Sequence, residues 1–251
     1  MITVDNISKS FDDKQILFNI DGEFERGKSN LIIGASGTGK SVLLKCMVGL
    51  VPPNEGKVLF DGRCFTDGDK KLQTEVRREI GMLFQGGALF DSKNVEDNVR
   101  FPLDVLTDMP MQDKLDRVNF CLERVGLENV NTKMPSEISG GMKKRVGIAR
   151  AIVNKPNYLF CDEPNSGLDP QTSIRIDNLI KAITDEYNIT TVVVTHDMNS
   201  VMEIGDKIIF MFKGQKLWEG SNKEIMRTDV EELNNFVFAT RLMQSMKPNQ
   251  K

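Results

Sequence analysis

The sequence has one histidine, one tryptophan and four cysteines, and no two cysteines form a C-x-x-C pair. His196, the single histidine, is far from every cysteine along the chain, which argues against a zinc site. The cysteines stand in mostly apolar neighbourhoods, a pattern typical of reduced, buried thiols. We therefore expect neither a zinc site nor disulfide bonds.

Long apolar runs and an N-terminal signal are also missing. Residues 208–212 form one of the longest apolar runs, far short of the roughly 20 residues that span a bilayer. Residues 1–5 lack the cationic segment and the long apolar core of a secretory signal, so we expect the chain to stay in the cytosol. Any work at a membrane would then require a partner protein.

An excess of basic charge is missing as well. The formal net charge is −3 and the isoelectric point is near 5.4, so no global field favours a polyanion. We therefore expect no nucleic acid partner, and any phosphate site must be local. With 251 residues, 39% of them hydrophobic, the chain can form one large α/β domain or two small ones. We find no internal repeat and no Pro/Gly linker, which favours one compact unit.

Four short apolar runs, partly β-branched, predict strands that are covered on both faces. They lie at residues 31–33, 80–84, 158–161 and 191–194. The order strand, helix, strand predicts a mainly parallel sheet with right-handed crossovers. Residues 1–25 instead alternate like two strands joined by a polar turn at residues 12–14, which should form a small antiparallel edge.

The stretch at about residues 95–153 is polar and helix-forming, and it interrupts the strand pattern. We interpret it as a helical subdomain inserted into a domain that spans residues 1–228. Residues 229–251 form a C-terminal tail with an amphipathic helical stripe. The stripe consists of Val230, Leu233, Phe236, Val237, Thr240 and Met243. Packing of this tail on its own domain and docking on a partner subunit both remain open.

Residues 34–41 match G-x-x-x-x-G-K-[ST] between a predicted strand and a predicted helix. In that context consecutive backbone N–H groups wrap a polyphosphate, and the helix N-terminus adds a favourable dipole. Lys40 should reach the β- and γ-phosphates of a bound nucleotide, and the Ser41 hydroxyl should ligate Mg²⁺. The predicted nucleotide-binding residues of this loop are Gly34, Ser36, Gly37, Thr38, Gly39, Lys40 and Ser41.

Two acids follow the apolar run at residues 158–161. Asp162 would hold Mg²⁺ directly or through a water, and Glu163 would polarise the attacking water as a general base. Taken alone, the pair is also explained as solvated carboxylates at a strand end. Together with the phosphate-binding loop, it predicts a site that hydrolyses a nucleoside triphosphate.

A second anion site is predicted where residues 139–142, Ser-Gly-Gly-Met, open a helix. Ser139 can cap that helix, and the exposed N–H groups at Gly140 and Gly141 can bind an anion. One nucleotide cannot easily touch two widely separated anion sites of one protomer. The motif therefore predicts a γ-phosphate bound by the opposite subunit, although an ordinary helix cap explains the same residues when they are taken alone.

In their order along the chain, these motifs resemble those of the ATP-binding cassette family, and the resemblance covers nearly the whole chain. Residues 138–142, Ile-Ser-Gly-Gly-Met, depart from the family's usual L-S-G-G-Q at the first and last positions. Met142 cannot donate the hydrogen bond that a glutamine side chain would offer across a dimer. The resemblance implies an α/β fold, the P-loop NTPase cassette, with a mainly parallel core sheet, an antiparallel β edge and an inserted helical subdomain.

The resemblance also implies roles by position. Phe11 matches the aromatic residue that stacks on adenine, and Asp169 belongs to the D-loop at residues 166–169. Gln85 matches the glutamine that reaches Mg²⁺ and a moving subdomain, and His196 matches the switch histidine. The predicted catalytic residues are Lys40, Gln85, Glu163 and His196, and the predicted Mg²⁺ ligands are Ser41, Gln85 and Asp162.

Plainer explanations remain beside these roles. Phe11 is also explained as a core residue at a strand end, Gln85 as a strand cap and His196 as a structural histidine. The charged residues 143–145 attract a partner's ATP in one interpretation and form a solvated helix face in the other.

A longer segment, residues 81–99, closely resembles the ATPase subunits of the Mla and MCE-associated phospholipid transporters. Residues 135–137 and Met142 fit the same group. The resemblance implies a homodimer of ATPase subunits that drives phospholipid transport from the cytoplasmic face of the inner membrane of a bacterium. It also implies an integral membrane permease and an MCE-domain lipid-binding protein as partners. The permease would dock near Ala88, Leu89 and Phe90, for which a buried loop is the plainer alternative.

Two other functions remain open. A polar-solute importer, such as an amino-acid importer, would use the same ATPase. A non-transport cassette ATPase of DNA repair or chromosome maintenance usually inserts a long coiled coil, whereas fewer than about one hundred residues separate Ser41 from Ser139. Translation types usually carry two cassettes in one chain. Co-purification with an integral membrane protein would separate these functions.

Overall fold

Two sheets and eight α-helices make up the computed structural model, which describes residues 1–239. The strands are β1 (Ile2–Phe11), β2 (Lys14–Phe24), β3 (Ser29–Ile33), β4 (Glu55–Phe60), β5 (Arg63–Cys64), β6 (Ile80–Leu83), β7 (Tyr158–Asp162), β8 (Thr190–Thr195), β9 (Lys207–Phe212) and β10 (Gln215–Gly220). The helices are α1 (Lys40–Met47), α2 (Lys70–Arg78), α3 (Val95–Leu106), α4 (Met111–Arg124), α5 (Gly140–Ile152), α6 (Pro170–Tyr187), α7 (Met198–Ile204) and α8 (Glu231–Val237). Short 3-10 helices lie at Pro135–Glu137 and Ile225–Arg227.

The larger sheet has six strands in the order β10-β9-β3-β8-β7-β6. It contains all four predicted apolar strands, as β3, β6, β7 and β8, and their pairings are parallel. Successive residues face opposite sides of the sheet, so Leu31 packs into one apolar cluster and Ile32 into another. Every residue of β3, β7 and β8 is buried. Burial on both faces explains why these strands are uninterrupted apolar runs.

The antiparallel part of the fold is larger than the two-stranded edge that was predicted for residues 1–25. β1 and β2 pair across the predicted turn, but they belong to a separate four-stranded sheet in the order β2-β1-β4-β5. β4 joins this sheet by pairing antiparallel with β1, so that Ile2 lies opposite Phe60. Ile2, Phe60 and Ile32 are buried in one cluster, which means that the smaller sheet packs towards one face of the larger one. The antiparallel edge of the larger sheet is β10, which pairs with β9.

The chain between β6 and β7 carries α3, α4, a 3-10 helix and α5, in the stretch that was predicted to be helical. Val99, Val118 and Val146 are fully buried in one cluster, so the three α-helices pack against one another. α3 begins after Asn94, whose side chain accepts a hydrogen bond from the N–H of Asp97 at 2.8 Å. This cap satisfies one of the free N–H groups of the first turn.

The described part of the C-terminal tail packs on its own chain. Leu233 and Val237 of α8 are buried, and Val230 and Phe236 pack against the same apolar cluster. Thr240 and Met243, the other members of the predicted stripe, lie outside the described residues. Among residues 1–239, no helix has both the length and the apolar character that crossing a membrane requires.

All four cysteines are free thiols. Cys46, Cys121 and Cys161 are buried, whereas Cys64 is half-buried, so the expectation of four buried thiols is wrong at Cys64. Burial raises the pKa of Cys46 and of Cys121 to about 11. These two thiols therefore stay protonated near neutral pH and behave as small apolar core residues.

Candidate functional site

Three predicted motifs meet at one edge of the larger sheet. β8 lies between β3 and β7, and all three strands run in the same direction. β3 leads into the glycine-rich loop, β7 ends at Asp162, and β8 ends at Thr195 just before His196. The carboxyl edge of a parallel sheet is where ligands bind in such folds.

The loop at residues 34–39 requires glycine where the backbone is left-handed and crowded. Gly34 has a φ of 147°, and a Cβ there would overlap the backbone carbonyl oxygen of Met211. Gly39 has a φ of 95° and precedes α1 without a side-chain cap. The first N–H groups of α1 are therefore left for another acceptor, and the helix dipole favours an anion there.

Lys40 is buried at the start of α1 and lies over this loop. Its Nζ donates to the carbonyl oxygens of Gly34 at 2.8 Å and Ala35 at 2.9 Å. Burial lowers the pKa of Lys40, while the carboxylates of Glu163 and Asp162 act in the opposite direction. A cation in this position can neutralise charge on a phosphate bound by the loop.

Ser41 and Asp162 are 121 positions apart in the chain but adjacent in the fold. The Ser41 hydroxyl donates to Oδ1 of Asp162 at 2.9 Å, and Asp162 is buried. A hydroxyl and a carboxylate oxygen are the kinds of ligand that Mg²⁺ prefers. The residues present therefore fit the predicted ion.

Glu163 and His196 form a pair at the same edge. Nδ1 of His196 lies 2.8 Å from Oε1 of Glu163, and the histidine side chain is 56% exposed against 13% for the glutamate. Glu163 has a φ of 49°, a left-handed backbone that is costly for a residue with a side chain. Its N–H donates to the carbonyl of Val194 at 2.9 Å, which ties this strained residue to β8.

The second predicted anion site, at residues 139–142, lies at the start of α5. The Ser139 hydroxyl accepts a hydrogen bond from the N–H of Met142 at 3.2 Å, as a helix cap does. A groove of about 570 Å³ there is lined by Ser139, Gly140, Gly141 and the predicted D-loop residue Asp169, among others. No residue of the loop at 34–41 is among those that line it.

Phe11 and Gln85 are both at the surface. Phe11 ends β1 with 45% of its surface exposed, and Nζ of Lys9 lies 5.1 Å from the ring centroid. The alternative of a core residue is therefore wrong for Phe11, and the Lys9 ammonium lies over one face of its ring. Gln85 is exposed and directly follows Phe84 after the end of β6. Its predicted contacts with Mg²⁺ and with the helical region stay predictions.

An apolar groove follows Gln85, which we call the residue-90 groove. It has a volume of about 270 Å³, and its lining includes Phe84, Ala88, Phe90, Phe101 and Arg150. Ala88 and Phe90 are exposed and Leu89 is half-buried. The alternative of a buried loop is thus wrong for Ala88 and Phe90.

Buried polar side chains hold the loop beside this groove in place. Arg150 donates to the carbonyl oxygens of Gly87 at 2.8 Å and Ala88 at 2.9 Å. Asn98 is fully buried, accepts from the N–H of Phe90 at 2.8 Å and donates back to the carbonyl of the same residue at 3.1 Å. The loop is therefore fixed from both α3 and α5.

The burial of Lys144 and the contacts of Asn165 were not predicted from the sequence. Lys144 is buried, so the alternative of a fully solvated face for residues 143–145 is wrong. Nδ2 of Asn165 donates to Oδ1 of Asp177 at 2.8 Å and to Oγ of Ser200 at 3.0 Å, which joins the turn after Glu163 to α6 and α7. No motif marks these residues, because their contacts depend on helices that meet only in the fold.

Residues 17–166 match the family described as ABC transporter. The chain is 36% identical over 241 residues to a probable ribonucleotide transport ATP-binding protein, mkl, of Mycobacterium leprae, covering 96% of this chain and 70% of that protein. It is 37% identical over 242 residues to the methionine import ATP-binding protein MetN 1 of Bacillus thuringiensis, covering 94% and 71%.

Two solved structures share the fold. The ATP-binding cassette MJ0796, in a dimeric post-hydrolysis state bound to ADP and Pi, matches with a TM-score of 0.80 and 32% identity over 88% of this chain and 99% of that one. CbiO1 of Clostridium perfringens, part of the transporter complex CbiONQ, matches with a TM-score of 0.83 and 30% identity over 98% of both chains. The predicted fold class is confirmed.

Proposed function

Because this chain belongs to the ABC transporter family, we propose that it is the ATP-hydrolysing subunit that drives a separate membrane permease. The proposal rests on one observation: three groups of residues lie together at the carboxyl edge of the larger sheet. They are Lys40 over the glycine loop, Ser41 with Asp162, and Glu163 with His196. Cassettes of this family bind ATP and Mg²⁺, so these are the nucleotide and the ion of the site.

Each group has a distinct part in hydrolysis. Lys40 and the N–H groups at the start of α1 bind the β- and γ-phosphates of ATP. Glu163 accepts a proton from the water whose oxygen attacks the γ-phosphorus, and the bond to ADP breaks. His196 orients the carboxylate of Glu163 through their 2.8 Å contact. Mg²⁺, held by Ser41 and Asp162 with Gln85, would supply charge neutralisation on the phosphates.

The working unit in this proposal is a homodimer with two composite sites. Ser139, Gly140 and Gly141 line a groove to which the loop at residues 34–41 does not contribute, so they would contact the nucleotide of the partner subunit. Asp169, in the same groove, and the exposed Phe11, against adenine, complete the nucleotide contacts. The dimeric structures of MJ0796 support this arrangement.

Glu163→Gln tests both the site and the dimer. The variant should bind ATP normally but lose about 10²- to 10⁴-fold in turnover, because the amide cannot accept the proton. It should also dimerise when ATP and Mg²⁺ are added, as measured by sedimentation. Glu75→Gln, a change at an exposed residue of α2, is the matched control and should keep normal turnover. Near-normal turnover in Glu163→Gln would remove Glu163 from the role of base.

We place the permease at the residue-90 groove, where Ala88, Leu89 and Phe90 follow Gln85 directly. The residues at about 95–153 would move with the dimer as it closes around ATP, and the fixed loop at residues 86–90 would carry that movement to the permease. The chain would then sit at the cytoplasmic face of the membrane through this contact.

The substrate we propose is a phospholipid, with an MCE-domain lipid-binding protein as a further partner. The support for this proposal is the sequence of residues 81–99. A polar-solute importer is the second candidate, and the similarity to a methionine import ATPase and a ribonucleotide transport ATPase favours it. The two candidate functions differ in the transported substrate and share the same ATPase site.

Reconstitution of the ATPase with its co-purified permease in liposomes separates the two substrates. Lipid transfer that depends on ATP would support the phospholipid, whereas stimulation of turnover by amino acids without lipid movement would support the importer. Phe90→Asp should uncouple either complex by weakening permease docking, while ATP binding survives. Phe120→Asp, at a similarly exposed phenylalanine on α4, is the control and should leave coupling intact. Normal coupling in Phe90→Asp would exclude this groove as the docking site.

A further inference from the structure

Lys144 is a buried cation in the second turn of α5. Only 3% of its surface is exposed, although Lys143 and Arg145 beside it are half-buried. Its Nζ donates to the backbone carbonyl of Glu163 at 3.2 Å and to the hydroxyl of Ser166 at 3.3 Å. Burial lowers the pKa of Lys144, while Cys161, Glu163 and Asp162 act in the opposite direction. A desolvated ammonium group bound to two neutral oxygens is an unusual feature that calls for a role.

The carbonyl that Lys144 contacts belongs to Glu163, a non-glycine residue with a left-handed backbone. Glu163 has a φ of 49°, and its carbonyl also accepts from the N–H of Ser166 at 3.2 Å. Lys144 therefore binds both ends of the turn from Glu163 to Ser166. Left-handed residues persist only where surrounding contacts hold them, and the direction of the Glu163 carboxylate follows from this backbone.

The position of Lys144 on α5 gives this contact a second consequence. Ser139, which caps the same helix, lies five residues earlier and belongs to the site completed by the partner subunit. Glu163 belongs to the site that the protomer builds with its own loop at residues 34–41. One rigid helix thus joins a residue of each composite site within a single protomer.

We propose that Lys144 is a positioning residue that couples the general base of one ATP site to the occupancy of the other. Its Nζ holds Glu163 and Ser166 to α5, so a shift of α5 when Ser139 meets the partner's nucleotide moves the base. This inference rests on the proposed function of Glu163. Lys144 would thus link the two ATP sites of the dimer mechanically, through α5.

The test compares two variants of the whole chain: Lys144→Met, which keeps the apolar stem and removes the ammonium group, and Lys71→Met, the same change at an exposed lysine of α2. In Lys144→Met, kcat should fall about 10- to 100-fold, because small displacements of a catalytic group have effects of that size. KM for ATP should stay within about twofold, and the Hill coefficient for ATP should fall towards one. Lys71→Met should keep kcat and the Hill coefficient within about twofold of the parent values.

A double-mutant cycle with Glu163→Gln distinguishes positioning from simple stabilisation. If Lys144 acts through Glu163, adding Lys144→Met to Glu163→Gln should change the residual kcat less than about twofold. An equal loss in both backgrounds, or a loss that only tracks the folded fraction in circular dichroism, would overturn the inference. Normal kcat and cooperativity in folded Lys144→Met would overturn it as well. If Glu163→Gln itself keeps normal turnover, the proposed function fails, which is a separate outcome.

Discussion

Asp177 should make the stability of this protein depend on pH in a predictable way. The side chain is only 2% exposed on α6, and Asn165 donates to its Oδ1. Burial raises the pKa of Asp177 from 3.8 to about 6, and the nearby charges of Asp197 and Glu203 add to the effect. Between these two pH values the folded state holds a proton that the unfolded state has released.

The sign and size of the effect follow from this difference. Where the folded state binds more protons, stability falls as the pH rises, so this carboxyl removes stability from about pH 4 to about pH 6. A shift of about two pH units corresponds to about 3 kcal/mol, and the loss is complete above the folded pKa. Asp177→Asn keeps an oxygen acceptor for Asn165 but does not titrate. About 1 kcal/mol of this loss is already present at pH 4.5, so the variant should gain about 2 kcal/mol relative to the parent between pH 4.5 and pH 7.5.

Urea unfolding of both proteins at pH 4.5 and pH 7.5 measures this quantity directly. Asp108→Asn, a change at an exposed carboxylate, is the control and should follow the parent at both pH values. A difference between Asp177→Asn and the parent that stays constant within about 1 kcal/mol over this range would refute the reasoning. Asp177 would then be charged in the folded state at low pH as well.

Two further predictions concern packing next to the site. Gly81→Ala should destabilise the fold by about 1–3 kcal/mol, because its Cβ would overlap the carbonyl oxygen of Ala151 in α5. An unchanged free energy of unfolding in urea would mean that β6 can move away from α5 at no cost in stability. Arg150→Met removes the guanidinium donors to the carbonyls of Gly87 and Ala88. Each carbonyl left unpaired should lower the stability of the fold by about 1–3 kcal/mol. Amides of this loop should then exchange faster with deuterium, and unchanged exchange rates would contradict the prediction.

The sequence alone determined the parts of this protein that depend on neighbours in the chain. The loop at residues 34–41 was predictable because its glycines, lysine and serine are contiguous and lie between a strand and a helix. The parallel strands were predictable because burial on both faces leaves an unbroken apolar run. His196 could be placed at the sheet edge because it directly follows such a run.

Only the tertiary structure decided which distant residues come together. β4 pairs with β1 across more than 40 positions, and no local pattern in β1 specifies that partner, so the second sheet was missed. A helical period likewise cannot tell which of three consecutive charged residues at 143–145 is covered, because that depends on the turn packed over α5. Asn165, Asp177 and Ser200 meet for the same reason. Their contacts belong to the packing of helices, and packing is a property of the whole chain.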